Sequence, residues 1–267
     1  MVSIMKKILY ALIISAICIG CEKPEEKNED NKTTDIDKYI DDTTVVDFGC
    51  YNALWTKCNV GADNPWDYGD YFAWGETSPK ETYDWTTYKY AEGYENILSQ
   101  NILTKYCSKK SYGSKRFTDD LIVLEASDDA ATVNLGEEYF TPGQGDWEDL
   151  IAKTYWAWTT EYRGHKVSGF IVYKAKVSAD AGYQGDDPAA SYSLSDAHIF
   201  LPAAGMLGYH NETFHSPGTC GRYWSHYLSK DYPTYAKCME FEPSYAIPSA
   251  AKDRCYGLSV RPIRHKK

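Results

Sequence analysis

The second half of the chain reads as short apolar-polar alternations separated by turn-forming residues. Tyr223, Trp224 and Leu228, then Met239 and Phe241, then Leu258 and Val260 recur with the spacing of half-buried strands, and Asp231, Pro233, Pro243, Ser244, Pro248 and Ser249 punctuate them. This predicts strand, long loop, strand, long loop, strand. The period-two rule sends Met239 and Phe241 inward and leaves Lys237, Cys238, Glu240 and Glu242 wholly or partly outward. Upstream, Val45, Val46 and Phe48 and then Leu54 to Val60 predict two short strands, closed by a turn from Gly61 to Pro65. The stretch from Pro79 to Asp120 is rich in Tyr and Lys without a sustained period, and is expected to be mostly loop. Two modest helices are predicted next. One covers Leu121 to Asn134; the other covers Gly145 to Ala152, with Asp146 as a capping acid and Trp147, Leu150 and Ile151 on one face. Trp156, Trp158 and Thr159 resume strand character, Gly182 to Pro188 predicts a surface hairpin or loop, and Phe200 to Gly205 returns to the core. The fold class is α+β, with short twisted antiparallel strands, two modest helices and long loops.

The first residues follow a different pattern. Lys6 and Lys7 precede an apolar run from Ile8 to Ile19, too short to span a membrane comfortably, and the run closes in Gly20-Cys21. Residues 1–20 resemble a bacterial lipoprotein signal peptide, with Met5 the better natural start and Cys21 the lipidated residue. From Glu22 to Asp42 nine acids face four lysines with few apolar residues, so 21–44 reads as an acidic flexible tether. Acids directly after a lipidated Cys resemble the surface-export signal of Bacteroidota lipoproteins. The expected location is therefore the outer membrane, lipid-anchored and facing the exterior. The remaining unit is 45–267.

Composition refines this. A 43% hydrophobic share suffices for a core, and 24 Tyr with 8 Trp is a rich aromatic content. Tyr and Trp offer large, stiff, amphipathic contact area suited to binding surfaces, but an all-β-leaning core with half-exposed Tyr fits equally. A net charge of −10 argues against nucleic acid, which needs clustered Lys and Arg.

Six phrases carry a resemblance. They are Leu54 to Ala62 (LWTKCNVGA), Tyr68 to Thr77 (YGDYFAWGET), Leu103 to Cys107 (LTKYC), Phe200 to Gly205 (FLPAAG), Tyr223-Trp224-Ser225, and Tyr256 to Ile263 (YGLSVRPI). In this order they resemble the Fibrobacter-type major paralogous domain, over roughly 45 to 264. The resemblance implies a C-type-lectin-like fold related to formylglycine-generating enzymes. Some relatives of that fold are variable targets of diversity-generating retroelements, in which the segment before a fixed ending is the ligand face. It also makes Asp67, Asp70 and Glu76 parts of a fold-defining phrase rather than cation ligands, matches Thr141-Pro142 to a helix-opening phrase, and makes 171–198 an insertion. Cys58 and Cys107 lie in family-like phrases and are the preferred disulfide; Cys50, Cys220, Cys238 and Cys255 stay open.

Candidate chemistry is sparse. The copper-holding cysteine pair of formylglycine-generating enzymes has no counterpart here, since only Cys255 lies near that place and Cys238 lacks the context. His210 and His215 share a loop without a nucleophile phrase, and every His is expected to be an exposed loop residue. No enzyme activity, cofactor or metal is expected. The candidate ligand-binding residues are Arg222, His226, Tyr227, Tyr232, Tyr235, Lys237, Glu240, Glu242, Tyr245 and Arg254, a chemically mixed set between two fixed-looking phrases. The expected partner is an extracellular protein or glycan; the competing expectation is a structural or adhesive envelope component, such as a fimbrial tip or stalk.

Overall fold

A computed structural model describes residues 45–92, 101–183, 192–208, 212–213 and 217–266. Residues 1–20 and 21–44, expected to be a signal peptide and a tether, lie outside the described residues together with Cys21, His210, His215 and most of the turn predicted at 182–188. In chain order the elements are β1 (Val45–Val46), β2 (Ala53–Thr56), α1 (Ala130–Leu135), β3 (Tyr139–Phe140), α2 (Gln144–Lys153), β4 (Thr154–Thr159), β5 (Gly169–Lys174), β6 (His198–Pro202), β7 (Leu207–Gly208), β8 (Glu212–Thr213), β9 (Gly221–Leu228), β10 (Tyr235–Glu242), β11 (Tyr245–Asp253) and β12 (Ile263–His265). They form an α+β arrangement in which every ladder between named strands is antiparallel.

One sheet has the order β1-β2-β12-β3, so β12 lies between strands from the start and middle of the domain, with Ile263 opposite both Trp55 and Phe140. A second sheet, β4-β5-β6, is a meander. Ile171 to Lys174 belong to its central strand, with Ile171, Val172 and Tyr173 buried and Lys174 exposed. The third sheet, β11-β10-β9, is organised by the alternation read from the sequence, with one addition: both faces are covered. Tyr223, Met239 and Phe241 pack against Trp55, Trp147, Trp156 and Phe170 on one side. Trp224, Leu228, Ala236 and Cys238 pack against Phe72, Trp74, Tyr88 and Val260 on the other. Each large side chain buried this way contributes roughly 2 kcal/mol. Cys238 is accordingly fully buried where an outward position was expected. The period was right, but the second face meets another core instead of water.

Helix α2 extends the expected Gly145 to Ala152 by one residue at each end, whereas α1 departs from expectation. Helix α2 starts at Gln144, two residues before Asp146, because that carboxylate reaches back to accept the Gly143 N–H at 2.7 Å and so sits in the first turn. Helix α1 is much shorter than Leu121 to Asn134. It starts where Asp129 accepts the Ala131 N–H at 2.9 Å, and it stops at Gly136, whose φ of 110° no other residue type adopts readily. Leu121 to Leu124 instead run along the edge of β9, with Leu228 N–H on Ile122 O at 2.8 Å and Leu124 N–H on His226 O at 3.0 Å.

Candidate functional site

Five of the six phrases are joined by buried hydrogen bonds. Arg261 is fully buried, and its guanidinium donates to Asn59 Oδ1 (2.8 Å), Thr56 O (3.0 Å), Lys57 O (2.8 Å) and Phe200 O (2.9 Å), joining three phrases at one point. Trp224 Nε1 donates to Phe72 O (2.6 Å) and Trp74 Nε1 to Ser225 O (2.8 Å), which crosslinks two more. Asp67, directly before the second phrase, and Glu76 within it have partners as well. Asp67 Oδ2 accepts from Asn64 N–H (2.9 Å), and Glu76 Oε1 accepts from Lys80 Nζ (2.9 Å) and Lys89 N–H (2.8 Å). Among the described residues no group of three or more His, Cys, Asp or Glu is placed to hold a metal ion.

The cysteines require a correction. All six described cysteines are free thiols, Cys58 and Cys107 included. Cys58 lies in the turn after β2, its Sγ 4.0 Å from Asp63 O, whereas Cys107 packs against Ile102 and Leu103 and donates to Lys109 O at 3.2 Å. Their phrases occupy different parts of the fold. Burial pushes the Cys50 and Cys238 thiols up to about 12, leaving both protonated at neutral pH.

The ten candidate binding residues separate into three groups. Arg254 is a core residue: it is 0% exposed and donates to Tyr88 Oη (2.7 Å), Lys105 O (2.8 Å), Tyr106 O (2.9 Å) and Pro233 O (3.0 Å). Its guanidinium also lies within 5.9 Å of the Trp74, Tyr88 and Tyr106 ring centroids. This overturns its assignment to a binding face. Sequence marked it as one of the polar residues in a loop-rich stretch, and the cage that buries it comes from residues far away in the chain.

The second group is an ion-pair cluster at the β10–β11 turn. Arg222, 2% exposed, donates to Glu240 Oε2 (2.9 Å) and Cys220 Sγ (2.9 Å), so it too is withdrawn from solvent. Lys252 Nζ reaches the same carboxylate at 2.6 Å, and Tyr245 Oη donates to Glu240 Oε1 at 3.1 Å. Burial alone would raise the Glu240 pKa, but the Arg222 and Lys252 bonds outweigh it and hold it at about 2. Half-buried Glu242 is paired with Tyr245 across the same turn.

The third group sits at the opposite end of the strands. Tyr235 and Glu242 are seven steps apart on β10, which at about 3.3 Å per residue is roughly 23 Å, so the ten residues are not one site. At the β9–β10 end, Tyr227 is 39% exposed, Tyr232 58% and Tyr235 38%. Tyr232 and Tyr235 meet edge to face at 6.3 Å. Tyr235 O accepts the Ser229 N–H at 2.9 Å, which closes the turn between them. His226 is half-buried and fixed by Nδ1 donating to Thr141 O (2.8 Å) and its own N–H to Pro142 O (3.1 Å); its ring rests on Tyr227. Lys237 Nζ donates to Ser249 O at 3.3 Å on the neighbouring strand.

Sequence reasoning missed two contributors to this end. Lys109 Nζ lies 5.9 Å from the Tyr232 ring centroid and donates to Asp231 O (2.6 Å), and Ser108 Oγ donates to Lys230 O (3.2 Å), so a distant loop braces the tyrosine-bearing turn. Val123, 40% exposed, bridges to Tyr227 along the β9 edge. Neither has a local signal, because both act through long-range pairing. His198 also departs from the expectation of exposed histidines: it lies buried in β6. Compared with protein-family models, with curated proteins and with solved structures, the chain matches none.

Proposed function

We propose that the chain is a lipid-anchored, surface-displayed module without catalytic activity, which binds an extracellular protein or glycan through the β9–β10 end of its C-terminal sheet on a C-type-lectin-like scaffold. The observation that supports this reading is the set of three exposed tyrosines, Tyr227, Tyr232 and Tyr235, on a braced turn between two paired strands. Tyrosine has only two rotatable side-chain bonds, so a ring already held in place loses little freedom when a ligand covers it. Lys237 and Lys109 add donors beside the rings. Replacement of the exposed residues leaves the core untouched, whereas Arg222 and Arg254 are tied into it, so any diversification by a retroelement would fall on the first set. The anchoring part of the proposal rests on the Lys6-Lys7 start, the apolar run and the Gly20-Cys21 junction.

The test is a glycan and protein array probed with the chain from residue 43 onward, as wild type and with Tyr227, Tyr232 and Tyr235 all changed to Ala. Surface changes of this kind shift stability by about 0.5 kcal/mol each, so the melting temperature should fall by only a few degrees while binding to any hit is lost. A hit retained at full strength by the triple variant places the contact elsewhere and removes the reading.

A further inference from the structure

A cavity of about 440 Å³ lies between β1, the Tyr162–His165 turn and the segment 194–200 that leads through β6, and none of the ten residues considered above lines it. Its size falls within the range of small-ligand pockets, roughly 300–1,000 Å³. Three features of its walls point to one class of ligand.

The first is an arginine held in place. Tyr162 and His165 exchange both backbone bonds at 2.9 Å, so Arg163 and Gly164 form a two-residue hairpin turn, with φ of 52° and 82°. Such a turn favours Asn or Gly at its first position, because both central residues need positive φ. Here the position is Arg163, in a conformation that its Cβ disfavours. The side chain is oriented by a buried relay. His198 Nδ1 is 2.7 Å from Asp196 O and so carries the proton. His198 Nε2 therefore accepts from Tyr162 Oη (2.9 Å), and that oxygen in turn accepts from Arg163 Nε–H (3.1 Å). Tyr162 is itself fixed by stacking on Phe200 at 4.3 Å.

The second is charge. The two carboxylates at the cavity each face a lysine: Asp47 with Lys266 at 2.8 Å, and Asp196 with Lys176 at 3.1 Å. Lys57 and Arg163 add two further cations to the wall. Burial above all, and then the positive charges of Arg163 and Lys57, lower the His198 pKa to about 4, so the imidazole is neutral and the relay keeps its direction at neutral pH. The third is an apolar wall from Val45, Leu194 and Ile199.

We propose that this cavity is a second binding site, for a small organic monocarboxylate whose carboxylate lies against Arg163 and Lys57 and whose body lies against Val45, Leu194 and Ile199. A guanidinium fork matches a carboxylate in shape as well as charge. Inorganic phosphate has no apolar body to lay against Val45, Leu194 and Ile199, so it forgoes that part of the wall.

The test uses the full chain in detergent, with benzoate, pyruvate, lactate and glucuronate as probes and inorganic phosphate and glucose as controls, followed by saturation-transfer NMR and calorimetry. At least one monocarboxylate should bind, with phosphate and glucose at least about tenfold weaker. Arg163→Gly should weaken that binding by about tenfold or more while the melting temperature stays level or rises, since glycine is at ease at this φ. Tyr162→Phe keeps the ring but breaks the relay, and should weaken binding by about threefold to tenfold. Tyr232→Ala with Tyr235→Ala should leave it unchanged, which separates this site from the tyrosine-bearing end. Failure of all four probes to bind, equal binding of phosphate, full affinity in Arg163→Gly, or loss in the double tyrosine variant would each overturn the proposal.

Discussion

Replacing Arg254 by Ala should destabilise the fold severely without acting through any binding surface. The side chain is fully buried and donates to three backbone carbonyls, Lys105 O, Tyr106 O and Pro233 O, and to Tyr88 Oη. Tyr88 keeps a bond to Trp74 O at 2.6 Å and is not orphaned. Three buried carbonyls lose their partner, at about 1–3 kcal/mol each. Two effects reduce the sum: a carbonyl with one unmet lone pair costs less than a lost N–H, and the variant no longer buries a charge. Loss of packing against the Trp74, Tyr88 and Tyr106 rings adds to it. The net is about 4 kcal/mol, a large fraction of the roughly 5–15 kcal/mol that holds a domain together. For a domain of this size that corresponds to a fall in melting temperature on the order of 10 °C. Urea titration monitored by tryptophan fluorescence gives the difference directly, because the midpoint shifts at constant slope if only stability changes. Arg254→Lys should recover part of the loss, as an ammonium can satisfy some but not all of these acceptors. A loss below about 1 kcal/mol for Arg254→Ala would show that water replaces the guanidinium freely, and the buried-cage account would be wrong.

Three further outcomes follow from the same geometry. Glu240 has a folded pKa of about 2 against 4.5, so its stabilising contribution is complete above pH 4.5 and disappears as pH falls toward 2; Glu240→Gln should lose about 2 kcal/mol at neutral pH and flatten this part of the acid limb, as read by denaturation at a series of pH values. Asp253 behaves oppositely: burial raises its pKa to about 6 from 3.8, so it costs stability as pH climbs through that window, and Asp253→Asn should stabilise the chain by about 1–2 kcal/mol at neutral pH with no gain below 3.8. Gly221→Ala would place a Cβ 2.0 Å from Phe241 Cζ, inside the ring's own volume, and should cost about 2–3 kcal/mol by thermal unfolding; a neutral result would mean that β9 and β10 part easily at this pair.

The period-two pattern of Tyr223, Trp224, Met239 and Phe241 was enough to place β9 and β10 and to say which residues share a face. It carries no information on what covers the opposite face, so the outward expectation for Cys238 fails there. The same limit applies to Arg222 and Arg254, since a polar residue in a turn-rich stretch looks alike whether it points to water or to carbonyls supplied by Lys105 and Tyr106. Asp146 and the apolar face of Trp147, Leu150 and Ile151 are enough to place α2 to within one residue at each end, because its cap is local. Leu121 to Leu124 are too few residues to fix a period, and pairing with β9 decides their conformation. Tyr227, Tyr232 and Tyr235 were legible as candidates because nothing distant was needed to expose them. Arg163 was not, since its significance depends on a φ value and on His198, which lies on another strand.

The position of β12 has a kinetic consequence. Ile263 to His265 supply the strand that β2 and β3 both require, so the sheet containing Trp55 stays open until residues about 200 positions further along have been delivered. Closing a loop of that length costs about 5 kcal/mol of chain entropy before any of its contacts are gained, and folds dominated by such distant pairings form slowly. The order of synthesis and the order of assembly are thereby decoupled: the strands made first are among the last to be secured. Loss of this short strand would leave β2 and β3 without a common neighbour, a fault out of proportion to three residues.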